Sequence, residues 1–317
     1  MGAYLVATSR SMIAVGPARA GVIAAGPIAS VDRTRVGAVI EAIKIPTEAG
    51  TFDALACGAS GGREVMLLHG FPEAAIEWEF QLGALGNGGC QVVAPDLRGY
   101  SPGVRPERVD AYRVEEFVGD VIAIADELGW QRFDLVGHDS GGYIGWSAAA
   151  AYPQRVRTLA AISTPHPAAF LRALTEDEDQ AQRSQYFELL RRPRVAERIL
   201  LADGATALRK IFDWKIPEER VEDYIHRLTQ PEALTAALNW YRALHLAGPT
   251  PPVDVPTLYV WSTEDTAIGS FAAQTTADHV TGPYRFEMLE DISHWIPEQA
   301  PEALTMLLME HLLAHRG

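Results

Sequence analysis

Cysteine is nearly missing: the 317 residues hold two, Cys57 and Cys90. Two thiols without further cysteines or histidines at ligand spacing exclude a zinc-finger or iron–sulfur framework. A reduced pair of core thiols is the plain expectation, a single bridge the other. Long apolar runs are missing too, and nothing approaches the ~20 residues of a membrane span. Positive charge is short, with 27 Lys and Arg against 41 Asp and Glu and a formal net charge of -14. That balance speaks against nucleic acid or an anionic membrane as partner and leaves small neutral ligands open. No internal repeat is visible, and no motif calls for a cofactor or a metal. Residues 1–35 are rich in Ala, Gly and Val, but Arg10 and Arg19 interrupt them. Their best apolar piece, Val22 to Ile28, contains Gly26 and Pro27. The uninterrupted core of a secretory signal is absent, so the stretch reads as an N-terminal extension and the chain as cytoplasmic.

What remains is a chain with 48% hydrophobic and 21% charged residues, enough for a large core. From residue 36 apolar strand-like runs begin. Val36 to Pro46 and Phe52 to Cys57 suggest a hairpin around Glu48-Ala49-Gly50. Then strands (Val65 to His69, Gln91 to Ala94, Phe133 to Val136, Val156 to Ser163) alternate with helices (Trp78 to Leu85, Val114 to Leu128, Gly141 to Tyr152). Alternation of this kind implies parallel pairing and a three-layer α/β sheet. It stops at residue 165. Helical patterns then dominate through residue 254: Glu176 to Leu190, Arg194 to Leu201, Thr206 to Phe212, Pro217 to Leu228 and Glu232 to Leu244. Strands resume at Pro256 to Trp261 and Tyr284 to Leu289, before a last helix from Pro301 to His315. Residues 36–164 and 255–317 thus form one core, and 165–254 a helical lid over the carboxyl ends of the strands, where open α/β sheets bind ligands.

The stretch Gly137-His138-Asp139-Ser140-Gly141-Gly142 sits between a strand and an Ala-rich helix. That is the layout of a nucleophile elbow, a bend so sharp that its flanks must be glycine. Asp139 occupies the tip. A carboxylate attacking an acyl carbon gives an uphill mixed anhydride; attacking an sp³ carbon, it gives an alkyl ester that water can cleave. Asp139 therefore implies an epoxide or a halogen-bearing carbon as electrophile. Ser140 is the rival nucleophile of a serine-type esterase, but it would place bulky His138 where the bend needs a small residue.

In an α/β-hydrolase order, nucleophile, acid and histidine follow one another, each after a strand. Asp265, in Trp261-Ser262-Thr263-Glu264-Asp265, is the acid, with Glu264 as rival, and His294, in Ser293-His294-Trp295, is the base. His69-Gly70-Phe71-Pro72 follows a strand and would supply one oxyanion-hole N–H from Phe71, with Ser140 supplying the other. A cis bond before Pro72 would turn the Phe71 N–H inward. His69 and His138 read as loop-orienting residues, and His166 as a hinge.

With these stretches, and with Asp96-Leu97-Arg98-Gly99-Tyr100, Ser163-Thr164-Pro165-His166-Pro167 and Asn239-Trp240-Tyr241-Arg242, the chain from about residue 40 resembles an α/β-hydrolase of the epoxide hydrolase group. The resemblance implies a mostly parallel eight-stranded sheet flanked by helices and a helical cap. It implies a mostly apolar epoxide and water as reactants, and lid helices on which a homodimer could form. It also implies two lid tyrosines that protonate the opening epoxide, since an alkoxide leaves poorly at neutral pH. Tyr241 matches one. The other falls at Arg183, with Tyr186 three residues on and able to substitute. Trp78, Trp240 and Trp295 are candidates for an apolar pocket, as they are for core. Ser140 stands where relatives often carry tryptophan, which speaks against a haloalkane dehalogenase. A haloacetate dehalogenase stays open, with Arg183 as carboxylate partner, as does a non-catalytic binder.

Overall fold

The computed structural model describes residues 39–246 and 248–316. The expectations for residues 1–35, and the first residues of the strand read from Val36, lie outside the described residues. Eight strands form one sheet: β1 (Glu41–Thr47), β2 (Gly50–Cys57), β3 (Arg63–Leu68), β4 (Cys90–Pro95), β5 (Phe133–His138), β6 (Val156–Ile162), β7 (Thr257–Glu264) and β8 (Tyr284–Ser293). Their order is β1-β2-β4-β3-β5-β6-β7-β8. β1, β2 and β4 pair antiparallel, and every pairing from β4 through β3 to β8 is parallel. The chain is thus an α/β-hydrolase fold.

The central strands read as unbroken apolar runs because both faces are covered. In β3, Val65 and Leu67 pack into one layer, under α1 (Glu79–Asn87) and the later α12 (Pro301–Ala314). Met66 and Leu68 point the other way, toward α2 (Val114–Glu127) and α3 (Ser140–Ala151). In α2, Phe117, Val118, Val121, Ile124 and Ala125 are buried at helical spacing, and Glu115 and Glu116 occupy its first turn, where the dipole favours acid.

Between β6 and β7 the chain is helical: α4 (Pro167–Glu176), α5 (Glu178–Arg183), α6 (Tyr186–Leu190), α7 (Val195–Arg209), α8 (Glu218–Leu228) and α9 (Ala233–Ala243). α10 (Ser270–Thr275) and the one-turn α11 (Ile296–Gln299) complete the set. Three details differ from the sequence reading. The helix expected from Glu176 to Leu190 is two, parted at Ser184 and Gln185, and Asp177 caps the first by accepting from the Asp179 N–H. α4 was not expected, because the prolines around His166 look like loop. Pro167 instead sits in the first turn, where no N–H is needed, and the His166 ring accepts from the Ala168 N–H. The helix read from Trp78 to Leu85 is α1, except that it starts at Glu79 and Trp78 ends a 3₁₀ turn, Ala75–Trp78, that leads into it. The gap read between Leu201 and Thr206 is present inside α7, where Asp203, Gly204 and Ala205 are left-handed. No helix among the described residues is long and apolar enough to cross a membrane.

Candidate active site

The elbow comes from backbone crowding. Asp139 has φ 48° and ψ -120°, with β5 ending behind it and α3 starting ahead. A Cβ on Gly137 would lie 2.2 Å from the Gly141 carbonyl oxygen, and one on Gly141 would lie 2.2 Å from the Leu68 carbonyl oxygen. The Leu68 oxygen belongs to β3 and the Gly141 oxygen to the first turn of α3, so neither can shift without displacing an element that forms the bend. Gly141→Ala should therefore lower unfolding free energy by about 3 kcal/mol or more. Urea unfolding reads this directly, and a variant within experimental error of the parent would contradict the steric account.

The carboxylate at the tip meets the histidine expected after β8, which in turn meets the acid expected after β7. His294 Nε2 lies 3.4 Å from Asp139 Oδ2, and its Nδ1 lies 2.8 Å from Asp265 Oδ2. Asp265 is buried, and its Oδ1 accepts from the Ala267 and Ile268 N–H groups at 2.8 and 2.9 Å. Glu264, the rival acid, is exposed on the last residue of β7. Burial works against charge on Asp139, but the His294 imidazole and the Phe71 N–H outweigh it and bring the carboxyl down to about 2. Burial likewise opposes an imidazolium at His294, yet Asp265 and Asp139 hold it well above the ordinary histidine range. In the free protein the pair is therefore ionic at neutral pH.

The Phe71–Pro72 bond is cis, and the Phe71 N–H donates to Asp139 Oδ1 at 3.0 Å. Ser140 Oγ donates to the same oxygen at 2.8 Å. As the first residue of α3, Ser140 also has a backbone N–H with no intrahelical acceptor. Gly70 is needed beneath them, since a Cβ there would stand 2.5 Å from Asp139 Cβ.

A cavity of about 610 Å³ opens above Asp139. Tyr186 and Tyr241 both line it, with Phe170 and Leu174 of α4, Phe187 of α6, Leu244 and Ile268. The two tyrosine rings meet edge-on at 6.3 Å, and Tyr241 packs edge-on against Phe71 at 5.3 Å. Tyr186 is 40% exposed, on a face that the cavity borders. Burial first, and the Asp139 charge second, raise both phenols well above their ordinary range, so both stay protonated donors.

The structure explains how Tyr241 is held. Its neighbour Trp240 donates from Nε1 to the Arg98 carbonyl at 2.9 Å and packs among His69, Tyr100 and Phe117. Arg242 bonds Asn239 Oδ1 and Glu197. Trp240 therefore stands behind the tyrosine: it lines not this cavity but a smaller one beside it, with Phe117, Ser140, Tyr143 and Tyr241. Trp78 is likewise elsewhere: fully buried under the sheet beside α1. Trp295 packs edge-on against His294 at 5.1 Å and against Phe212, outside the cavity wall. Arg183 does not reach the cavity either. Its Nε bonds Asp179 and its Nη1 donates to the Asp265 carbonyl at 2.6 Å, so it clasps the acid's loop from outside. The carboxylate-binding role weighed for Arg183 with a haloacetate substrate thus loses that residue; the arginine on the cavity wall is Arg191, over the Phe187 ring.

The sequence reading missed Phe170, Leu174 and Phe187, whose signal was the apolar spacing of short helices it joined or overlooked. It also passed over Glu77 and Glu298. Among the described residues, the group with the spacing of a cation site is Glu73, Glu77 and His138, whose oxygen and nitrogen atoms lie within 4.8 Å of one another. None of the three lines the cavity.

Comparison with known proteins agrees with this architecture. The family model described as alpha/beta hydrolase fold matches residues 64–301. Epoxide hydrolase 4 of Mus musculus is 31% identical, over 82% of this chain and 76% of that protein. Epoxide hydrolase A of Mycobacterium tuberculosis is 30% identical, over 80% of this chain and 92% of the relative. The crystal structure of epoxide hydrolase A from Mycobacterium thermoresistibile superposes with a TM-score of 0.75 at 26% identity, covering 86% of this chain and 98% of that one. A strained elbow with aspartate at its tip, a histidine and acid after the last two strands, and relatives of this kind place the chain in the α/β-hydrolase fold family, in its epoxide hydrolase group.

Proposed function

We propose that this enzyme hydrolyses epoxides to vicinal diols through an alkyl ester on Asp139. The observation that carries the reading is the pairing, in one cavity, of an ionised carboxylate at an elbow with two protonated phenols facing the same space. Attack of Asp139 on an epoxide carbon breaks a C–O bond and leaves an alkoxide, and Tyr241 and Tyr186 hydrogen-bond that oxygen and supply its proton. His294, oriented by Asp265, then takes a proton from water. The hydroxide adds to the Asp139 carboxyl carbon, and the N–H groups of Phe71 and Ser140 stabilise the oxyanion; its collapse breaks the ester C–O bond, the carboxylic acid proton passes to the departing diol oxygen, and the proton held by His294 returns to the tyrosinate. The helical segment α4 to α9 acts as the lid that brings the tyrosines over the nucleophile. Tyr241 and Tyr186 provide what a halide, itself a good leaving group, would not require, and this favours an epoxide over an alkyl halide. The cavity's aromatic and aliphatic lining suits a substrate that is mostly apolar.

The decisive experiment is single turnover of an aryl or alkyl epoxide in ¹⁸O-water. Label should appear in the Asp139 carboxylate and be missing from the first-turnover diol. Diol labelled in that first turnover would overturn the ester route, and halide release without epoxide turnover would replace the substrate class. Tyr241→Phe should lower the rate of ester formation by about 10²-fold and leave ester hydrolysis unchanged, as expected for a group that acts only as the epoxide opens. Tyr186→Phe should do the same to a similar extent, because both phenols share the cavity. Stopped-flow measurement of the two steps separates these outcomes, and a slowed second step would assign the tyrosines elsewhere.

A further inference from the structure

Directly beneath the triad lie three carboxylates that the mechanism above does not use. Glu73 and Glu77 are 0% and 2% exposed. Read as ionised acceptors, both oxygens of Glu73, Oε1 of Glu77 and Oε2 of Glu298 have no donor. Their neighbours offer little positive charge. His138 Nδ1 stands 3.4 Å from Glu73 and 3.3 Å from Glu77. Tyr224 donates to Glu298 at 2.6 Å. Arg220 acts on Glu298 from a distance, with its guanidinium bonded to Glu79. Among the described residues, the other titratable groups that face the cluster are Tyr100 and Tyr241, which burial keeps protonated, Asp139, which is negative, and His294. Two or three bare carboxylates in such a place would lose their hydration and repel one another with little to compensate. Protonating one carboxyl turns an orphaned acceptor into a donor for another, which satisfies both.

His138 links this layer to the base. Its Nε2 lies 3.0 Å from the His294 carbonyl oxygen, an acceptor only, so Nε2 carries a hydrogen and Nδ1 is left facing the two glutamates. We propose that Glu73 and Glu77 share one proton while the enzyme works, and that Glu77 is a positioning residue for ester hydrolysis, acting through Glu73 and His138 on the charge beneath Asp139 and His294. Burial, and then the neighbouring carboxylates, raise Glu73 and Glu77 well above the ordinary carboxylate range, and Glu298 is pushed up to about 7 chiefly by burial. As pH rises, loss of the shared proton adds a negative charge under the carboxyl that must become an oxyanion. Hydrolysis then slows, by about tenfold for one added charge at this range in a partly polar interior. His294 sets the acid limb of the same step and Glu77 the alkaline limb. The kinetic part rests on the ester route proposed above; the protonation does not.

The test has two readouts. Infrared difference spectra of the whole enzyme at neutral pH should show the carbonyl stretch of buried, protonated carboxylic acid, which Glu77→Gln weakens to the part that Glu298 contributes. In single turnover, after ester formation is complete, the parent's hydrolysis rate should fall on the alkaline side. Glu77→Gln should lose that limb, or move it up by more than roughly one pH unit, and keep the acid limb of His294. Glu73→Gln is the second variant should Glu77→Gln not fold, and it should weaken the band in the same way. Absence of the band in the parent, or a stoichiometric divalent metal found in the purified enzyme, overturns the proposal. So does an alkaline limb unchanged in the variants. If no epoxide forms an ester at all, the reading of function fails while the infrared result still decides the shared proton.

Discussion

Asp139→Asn should abolish diol formation, lowering kcat/KM by roughly 10⁴-fold or more, while the fold survives. The substitution keeps shape: the amide oxygen can still accept from the Phe71 N–H and from Ser140 Oγ, the two groups now on Oδ1 at 3.0 and 2.8 Å. Asparagine also tolerates positive φ better than most residues, which matters at 48°. What it lacks is the negative charge that attacks carbon. Ser140→Ala is the necessary companion. If Ser140 were the nucleophile, its loss would be the fatal one. Under the carboxylate reading it removes one hydrogen bond to Oδ1 and leaves the backbone N–H of residue 140 in place, so the expected loss is about tenfold or less. A variant pair with the opposite ranking would return the protein to acyl chemistry. Thermal unfolding of both variants separates lost chemistry from lost structure.

The elbow was legible because steric crowding writes itself into composition: only glycine can stand at 137 and 141, where a Cβ would touch backbone at 2.2 Å. Asp265 and His294 were legible because strand ends and chain order restrict which polar residues can meet. The β-sheet itself was visible as apolar runs, since buried parallel strands need apolar residues on both faces. The wall of the cavity was not. Trp78, Trp240 and Trp295 looked like lining because large aromatics suit a pocket, yet all three are at most 6% exposed and pack behind it. A tryptophan carries the same letter whether it faces a substrate or holds the residue that does, and only the packing of α9 against the Arg98 loop tells which. Arg183 fails for a similar reason. Its partner is the carbonyl of Asp265, 82 residues away, and no local pattern announces a bond between a lid helix and the loop after β7. The split of Glu176 to Leu190 into α5 and α6 moved Tyr186 to the start of a new helix, bordering the cavity. The acids beneath the site were hidden by their context, since Glu77 lies among Ala74, Ala75, Ile76 and Trp78 and nothing in that local pattern announces its burial.

His294→Gln should stop the enzyme halfway. The first step asks nothing of His294 as a base, since the tyrosines supply the proton; loss of the imidazolium lets burial raise the Asp139 carboxyl, so the variant is read at alkaline pH, where Asp139 is ionised. One equivalent of epoxide should therefore disappear in a burst, and the protein's mass should rise by that of the intact substrate, with the added mass on the peptide carrying Asp139. Diol release should then be slower than in the parent by about 10³-fold, the usual worth of a positioned base. The pH dependence of the parent follows from the same geometry. In the free protein Asp265 and Asp139 together hold the imidazolium well above the ordinary histidine range. Esterification removes the Asp139 charge, and with it one of the two groups that stabilise the proton, so the pKa of His294 falls and neutral imidazole becomes available when water must be deprotonated. Hydrolysis of the ester should accordingly slow as pH drops through this lowered pKa, while ester formation stays flat until Asp139 itself is protonated near 2. Asp265→Asn should move the acid limb of hydrolysis further down and lower its plateau, because an amide neither stabilises the charged imidazole nor fixes which nitrogen carries the proton. A burst without covalent adduct in His294→Gln would mean that water, not Asp139, attacks the epoxide, and the order of events proposed for this site would have to be reversed.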